Sequence, residues 1–274
     1  MMIEDDRQSI DQAGISKIAV AELTPEMLLD VSDTDSIIEQ RYFTALEWAM
    51  VDQPHLQFRR CLFVDCDFSE ANLSEVSFEH CQLYHCDFSG ANLSDSQFTH
   101  CSLYDRKRQR GCDFSTANLN QAVFKGCDIS TANFSRAELF DVTIENCHAQ
   151  GCRFEYADFS KVVSRKVVFS SAHLVDSNFS LSDFEGVNLA KCNLSGCNLS
   201  EAVLSRVNLE GANLSNTQFS PSTYQGLQLF QADLRNADIA GIDIRHLDFS
   251  GVKIFDWQMA ALMENLGFVV FADN

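Results

Sequence analysis

The chain has 274 residues, of which 46% are hydrophobic, which is enough for a continuous core and argues against a disordered protein. Its 39 Asp and Glu residues outnumber 20 Lys and Arg, and the net charge of -19 excludes a protein whose whole surface binds phosphates. The first residues lack a signal peptide, and no stretch reaches the ~18 apolar residues of a membrane span, so we expect a cytoplasmic protein without membrane contact.

Residues 1–57 form an acidic N-terminal extension with 12 acids and 3 bases, in which no repeat is evident. Thr24 followed by Pro25 is typical of a helix start. A stripe of residues at helical spacing follows at Ile38, Tyr42, Leu46 and Ala49. This stripe predicts a second helix over residues 35–50, which we expect to cap the domain that follows. The alternative is that translation begins at Met50 and that the preceding residues do not belong to the protein.

From Phe58 onward, a large apolar residue recurs at every fifth position. The first run has ten such positions and ends at Leu103, and the second begins at Phe114 after a slip in phase. The second run reaches Ile254 and has (254 − 114)/5 + 1 = 29 positions, of which only Ala149 and Ser164 are not large and apolar. A period of five fits neither an ordinary helix nor a flat strand, and it indicates a solenoid of stacked coils.

A smaller residue, usually Ala, Val, Ser or Cys, lies two positions before each large one. All eleven cysteines occupy this position, namely Cys61, Cys66, Cys81, Cys86, Cys101, Cys112, Cys127, Cys147, Cys152, Cys192 and Cys197. Both positions have to face inward if the coils stack. The thiols are therefore interpreted as compact hydrophobic groups, and not as disulfides or metal ligands.

Tandem motifs of the form A(D/N)LxX occur along both runs: ANLSE at 71–75, ANLSD at 91–95, ANLSN at 212–216 and ADLRN at 232–236. These motifs resemble the pentapeptide-repeat family. The resemblance implies an all-β solenoid, a right-handed quadrilateral β-helix with one pentapeptide on each side. We assign residues 58–254 to this rod.

Two interruptions of the repeat predict loops at 104–111 and 160–171. The first contains Tyr104, Asp105, Arg106, Lys107, Arg108, Gln109 and Arg110. The second contains Lys161, Val162, Val163, Ser164, Arg165 and Lys166. For the first, a tolerated surface insertion and a contact with an acidic or phosphate-bearing surface are both open interpretations. For the second, the alternatives are a projecting loop and an imperfect buried coil.

Residues 255–274 predict a short helix and an apolar ending. Asp256 is typical of a helix N-cap, and Gly267 is typical of the left-handed residue after a helix. The apolar side chains of interest are Trp257, Leu262, Met263, Leu266, Phe268, Val270 and Phe271. They either cover the last coil or form a symmetric dimer interface.

The two loops and the ending, in this order, resemble the Qnr branch of the pentapeptide-repeat family, the quinolone-resistance proteins. The likeness lies in residues 101–115, 148–159 and 251–271. It implies a C-terminal helix and strand that join two rods into a homodimer. It also implies loops that bind DNA gyrase and topoisomerase IV and protect them from fluoroquinolones. We expect no catalysis, no cofactor and no sequence-specific DNA binding.

Charge adds a second element to this interpretation. Residues 58–254 hold 24 acids and 17 bases, and without Asp105 and the seven loop cations the numbers are 23 and 10. An acidic rod of this kind is a candidate DNA mimic for a positively charged topoisomerase surface, although acidity also serves solubility alone. The alternatives are an immunity protein against another topoisomerase poison and a non-catalytic scaffold. His80 and His100 lie four pentapeptides apart and predict a stacked pair more readily than a metal site.

Overall fold

The computed structural model describes residues 37–164, 167–239, 242 and 244–271. The helix expected at Thr24 and Pro25 lies outside these residues. The secondary-structure elements of the described chain begin with β1 (Ile37–Glu39), β2 (Tyr42–Thr44), β3 (Gln57–Arg59), β4 (Leu62–Val64), β5 (Ser77–Glu79), β6 (Gln82–Tyr84) and β7 (Gln97–Thr99). They continue with β8 (Tyr104–Asp105), β9 (Arg110–Gly111), β10 (Val123–Lys125), β11 (Val142–Glu145), β12 (Ser160–Ser164), β13 (Val167–Ser170) and β14 (Ala172–Val175). A 3₁₀ turn (Ile244–His246) and α1 (Gln258–Asn265) complete the order.

The chain winds into a four-sided β-helix, and we number the sides by the large residue each carries in one coil: Phe58 on side 1, Phe63 on side 2, Phe68 on side 3 and Leu73 on side 4. Side 1 forms one parallel ladder through Ile37, Gln57, Ser77, Gln97, Val123, Thr143, His173, Asn193, Asn213, Asp233 and Lys253. Most steps of this ladder advance by four pentapeptides, one for each side. The all-β solenoid expected from the repeat is confirmed.

Aromatic and aliphatic side chains fill the axis of the rod. Phe63, Phe124, Leu194 and Leu234 are each no more than 1% exposed and belong to one core. Along the axis, rings of successive coils stack at about the strand spacing: the Phe98 and Phe124 centroids lie 4.6 Å apart. Side chains five apart therefore share one interior, because each coil alone has too little apolar area to bury them.

The cysteines line the same interior. All eleven are free and buried. Burial raises the pKa of Cys192 and of Cys197 to about 12, since the low dielectric disfavours a thiolate. These thiols act as small apolar groups. The described histidines, cysteines and carboxylates form no group of three that could hold a metal ion.

The histidine pair lies on the outer surface, at the corner after side 1. His80 and His100 stack with ring centroids 5.2 Å apart, as their spacing of four pentapeptides predicts. The next residue in this column is Gly126, where φ is +63° and a Cβ would lie 2.5 Å from Nδ1 of His100. A side chain at this position would require the imidazole of His100 to move.

The helix predicted over residues 35–50 is wrong. This segment forms β1 and β2, which pair with β3 and β4 as one more coil of the rod. Ile38, Phe43 and Trp48 are buried and lie five residues apart, so the described part of the rod includes one full coil before Phe58. Burial of Phe43 and Trp48 against the next coil outweighs the helical stripe, whose member Ala49 is exposed. A protein that began at Met50 would lack this coil.

Of the two alternatives for residues 160–171, a projecting loop and an imperfect buried coil, the structure forms the projecting loop around Ser164 and Phe169. Both residues lie in the hairpin of β12 and β13, and the Phe169 side chain is 54% exposed. The interior resumes at Leu174, which pairs with Ile144 across six pentapeptides instead of the usual four. The two additional pentapeptides leave the rod and return without disturbing the phase.

Candidate partner-binding loops, acidic row and C-terminal end

The first interruption is an antiparallel hairpin, called loop 1 here, formed by β8 and β9. It leaves the rod at the corner between sides 2 and 3, since Leu103 and Phe114 are the flanking core residues. Residues 106–110 are exposed, whereas Gly111 is buried and its N–H donates to Oγ1 of Thr131, 2.8 Å away. The base of the hairpin is therefore fixed to the rod, and its tip carries the cations into solvent.

Loop 1 borders a polar depression of about 290 Å³ on side 2. Its lining includes Tyr104, Arg106, Asp128, Ser130, His148 and Gln150. Arg106 forms a long ion pair with Asp128, with Nη2 and Oδ2 3.7 Å apart, and its side chain stays 84% exposed. This contact is weak and leaves the guanidinium accessible to a partner. Asp105 and Arg108 instead turn back toward His85 on the rod.

The second interruption, called loop 2, is the hairpin of β12 and β13 with a bulge between Val162 and Ser164. Two of its valines are exposed, Val162 at 70% and Val168 at 55%, beside the exposed polar side chains of Lys161 and Ser164. Lys161 lies over the Phe140 ring, with Nζ 5.5 Å from the centroid. The side chain of Val163 and both Arg165 and Lys166 lie outside the described part of the chain.

The structure does not bring the two loops together. Loop 1 leaves between sides 2 and 3, whereas loop 2 leaves between sides 4 and 1, because Phe159 and Leu174 flank it. These corners are diagonally opposite in a four-sided rod. A partner that contacts both loops would have to embrace the rod.

Side 3 carries a row of four carboxylates, called the acidic row here: Glu47, Asp67, Asp87 and Asp113. They occupy consecutive rungs of the ladder, and none of them forms an ion pair with another described residue. Side 1 differs, because Arg59 pairs with Glu79 at 2.9 Å and Lys125 with Glu145 at 3.0 Å. Side 3 thus carries four consecutive carboxylates without a paired cation, whereas these two carboxylates of side 1 are paired.

The aspartates of the acidic row also have a structural task. Oδ1 of Asp67 accepts the backbone N–H of Ser69 at 2.9 Å, and Asp87 and Asp113 accept the equivalent N–H groups of the following serines. Asn72 and other asparagines make the same turn elsewhere in the rod. The turn therefore needs a side-chain oxygen and does not need a charge.

The C-terminal end combines a cap with an exposed apolar segment. Gln258 and Leu262 of α1 are buried against the last coil, and Gln258 Nε2 donates to the carbonyls of Leu234 and Ala237. Leu262 thus belongs to the cap, and Met263 is half-buried. The other apolar residues in question are exposed at 36% to 86%: Trp257, Leu266, Phe268, Val270 and Phe271.

Two expectations for this end need correction. The N-cap of α1 is Trp257, so Asp256 lies one residue too early and its Oδ1 accepts the Trp257 N–H instead. The strand expected after the helix is not formed by residues 268–271, because a strand needs a neighbour and this edge has none in a single chain. Gly267 does take a left-handed φ of +88°.

Comparisons with known proteins agree with this geometry. The family model "Pentapeptide repeats" matches in eight copies, which together cover residues 57–105, 110–136 and 150–220. The structure of a trypsin-treated variant of QnrB1, a plasmid-mediated fluoroquinolone resistance protein, is 34% identical with a TM-score of 0.70, covering 77% of this chain and 99% of the chain in that structure. The chain belongs to the pentapeptide-repeat family, in the Qnr branch.

Two further QnrB1 structures are similar to this pentapeptide-repeat protein. A second trypsin-treated variant is 32% identical with a TM-score of 0.65, covering 84% of this chain and 100% of that one. Full-length QnrB1 is 28% identical with a TM-score of 0.59, covering 85% and 99%. No match was found among curated protein sequences. Among the described helices of this Qnr-type chain, none is long and apolar enough to cross a bilayer.

Sequence reasoning located the loop cations of this Qnr-type protein but missed what holds them. A simple spacing would have found it, because Asp65, His85 and Asp105 follow one another at intervals of 20 residues, which is one coil of the rod. The acidic row was also missed, and a register of four pentapeptides between the acids would have found most of it. Because loop 1 lengthens its coil, the step from Asp87 to Asp113 is longer than four pentapeptides. The sequence register therefore does not reveal Asp113 as the fourth member of the acidic row.

Proposed function

We propose that this chain is a quinolone-resistance protein that binds DNA gyrase and topoisomerase IV and protects them from fluoroquinolones without catalysing a reaction. The observation that carries the proposal is the likeness to QnrB1 over 77% of the chain, in a rod interrupted by two hairpins. Binding to these enzymes places the protein in the cytoplasm.

Loop 1 and loop 2 supply the chemistry of this proposal at opposite corners. Loop 1 offers guanidinium and ammonium groups, which suit acidic side chains or DNA phosphates in a cleavage complex. Loop 2 offers Val162, Val168 and Phe169, whose exposure outside any core is typical of a contact surface. In this proposal loop 1 binds the enzyme through charge, and loop 2 binds a second enzyme surface through apolar burial.

The acidic row supplies a second attraction. Four carboxylates follow one another at the strand spacing of ~4.8 Å, which makes a linear negative charge on one side of a straight rod. A DNA-binding saddle is positively charged, so such a row is steered toward it. The rod thereby acts as a partial DNA mimic, and its loops reach the drug-bound complex from that position.

Deleting residues 106–110 and joining the strands by a short glycine linker is expected to abolish protection. Loop 1 lies outside the core, so the rod remains folded while the cations are lost. The measurement is gyrase supercoiling in the presence of ciprofloxacin, titrated with the protein. Substituting the same five residues by serine is the matched control that keeps the length of the hairpin, and this variant should also fail to protect gyrase. If both variants protected gyrase as well as the unchanged protein does, a role for these cations would be contradicted.

We further propose that the C-terminal segment joins two copies tail to tail through Trp257, Leu266, Phe268, Val270 and Phe271. These side chains are exposed although Gln258 and Leu262 already close the rod, so capping does not use them. A second copy related by a twofold axis would bury them and provide the missing strand neighbour.

Changing Phe268 and Phe271 together to serine is expected to convert the dimer to a monomer, because both rings project from the segment. Sedimentation equilibrium should give half the mass of the unchanged protein. The variant Phe230→Ser removes one exposed ring from the side of the rod and should remain dimeric. A monomeric parent chain at micromolar concentration would overturn the proposed interface.

A further inference from the structure

His85 lies between the rod and loop 1 in a column of charged residues. Asp65 and His85 occupy the corner after side 2 in two successive coils, and Asp105, four pentapeptides further on, lies in β8 where loop 1 leaves the rod. The His85 side chain is only 6% exposed, whereas Asp65 is half-exposed. The hairpin begins at Asp105, so its first strand rests directly on the imidazole.

Each ring nitrogen faces charged groups at short range. Nδ1 lies 2.9 Å from Nη1 of Arg108 and 3.1 Å from Oδ1 of Asp65. Nε2 lies 2.9 Å from Oδ2 of Asp105, but it is completely buried and bent away from the direction of a good hydrogen bond. Arg108 Nη1 also reaches Oδ1 of Asp65, at 3.3 Å. These three residues are the charged groups that the described chain places against the ring.

The two contacts of Nδ1 exclude each other chemically. A guanidinium N–H can donate only to an unprotonated Nδ1, which requires a neutral ring with its proton on Nε2. A carboxylate can accept only from a protonated Nδ1, which the imidazolium provides together with an Nε2–H toward Asp105. The charged ring repels Arg108 at 2.9 Å and gains both carboxylates.

Asp105 keeps its backbone contact whether the His85 ring is neutral or charged. Its Oδ1 accepts the backbone N–H of Lys107 at 2.8 Å and fixes the turn, while Oδ2 faces His85. Protonation of the ring therefore strengthens the base of the hairpin. The change is confined to Arg108, which loses its nitrogen acceptor and keeps only the 3.3 Å contact with Asp65, a carboxylate for which the charged ring then competes.

We propose that His85 is the positioning residue of loop 1, and that its protonation state decides whether Arg108 is held against the rod or presented outward beside Arg106. With a neutral ring, Arg108 is docked on His85 and Asp65. With a charged ring, Arg108, whose side chain is already 46% exposed when docked, is released from the ring, so the loop offers an anionic surface one more free guanidinium. That consequence for an enzyme partner rests on the function proposed above; the docking of Arg108 does not.

Trypsin measures this docking directly, because it cleaves after Arg and needs the side chain free to enter its pocket. The measurement is the ratio of cleavage after Arg108 to cleavage after Arg106, read by mass spectrometry at several pH values. Both sites lie in one hairpin, so the pH dependence of trypsin itself cancels. An imidazole gains its proton as the pH falls from about 8 to about 5, and over that range we expect the ratio to rise about two- to fivefold.

Two variants separate positioning from mere packing. His85→Gln keeps a polar side chain that does not titrate, and its ratio should be independent of pH. His80→Gln, on the stacked pair at the neighbouring corner, removes another histidine and should keep the response of the unchanged protein. A flat ratio in the unchanged protein, or a full response in His85→Gln, would overturn the proposal.

The enzyme assay is a separate arm with the same proteins. If the chain protects gyrase, His85→Gln should remove the pH dependence of the protein concentration needed for half protection, without abolishing protection. If the unchanged chain does not protect gyrase at any pH, the proposed function fails. The cleavage ratio then still decides the role of His85.

Discussion

Replacing Phe114 by alanine is expected to destabilise the rod by about 3–5 kcal/mol, whereas the same replacement at Phe169 should change stability by less than about 0.5 kcal/mol. Both phenylalanines lie on the same five-residue count. Phe114 is fully buried and stacks between Phe88 and Phe134, with centroids 5.0 and 5.1 Å away. Phe169 is exposed in loop 2, so its removal leaves no cavity.

The measurement is guanidinium denaturation followed by circular dichroism, comparing transition midpoints of the two variants with the parent. In a repeat rod each coil is stabilised by its contacts with the neighbouring coils. Loss of the Phe114 contacts should therefore weaken the coupling between coils and also broaden the unfolding transition. A large loss of stability in Phe169→Ala would mean that loop 2 is packed as a coil. A negligible loss in Phe114→Ala would contradict the continuous phenylalanine core.

Changing Asp67, Asp87 and Asp113 together to asparagine is expected to weaken binding to gyrase by about tenfold or more at low salt, because three steering charges are lost. The fold should be unaffected. Each aspartate accepts one backbone N–H through Oδ1, and asparagine has the same oxygen in the same place. Asn72 already makes this turn in the unchanged rod.

A second triple variant is the matched control for this prediction: Asp158, Asp233 and Asp248 changed to asparagine. These residues make the same turn with the residue two positions later, but they lie on sides 4 and 1 and do not form a row. Net charge changes equally in both proteins. The measurement is binding to immobilised gyrase at several salt concentrations. Equal weakening by the two variants would show that total charge matters and that the acidic row does not.

The interior of the rod could be predicted from the sequence because its signal is dense and local. A large residue every fifth position and a small one two places earlier leave a single way to bury both. The first coil was missed for a specific reason: Gln53 occupies the fourth large position and interrupts the count from Trp48 to Phe58. An accidental stripe at helical spacing then led to the prediction of a helix over residues 35–50, although Phe43 does not fit that stripe.

The loops were unequally visible from the sequence, and the cause is the length of each insertion relative to the repeat. The coil with loop 1 runs from Phe98 to Phe124, which is five pentapeptides and one extra residue, so the phase shifts and exposes the interruption. The coil with loop 2 runs from Ile144 to Leu174, which is six whole pentapeptides, so the count continues through Ser164 and Phe169 as if they were buried. The sequence therefore left a projecting loop and an imperfect buried coil open for residues 160–171, and the pairing of β12 with β13 decides for the projecting loop.

The sequence by itself determined the repeat, the inward direction of the eleven thiols and the excess of acid, since each depends on spacing or composition along one chain. Tertiary structure alone decided the fourth member of the acidic row, Asp113, and the opposite placement of the loops. It also decided the contact of Arg108 with His85, which lies in the coil below the hairpin. These features depend on which residues the winding places above one another, and two insertions of different length change that register in ways that local patterns do not record.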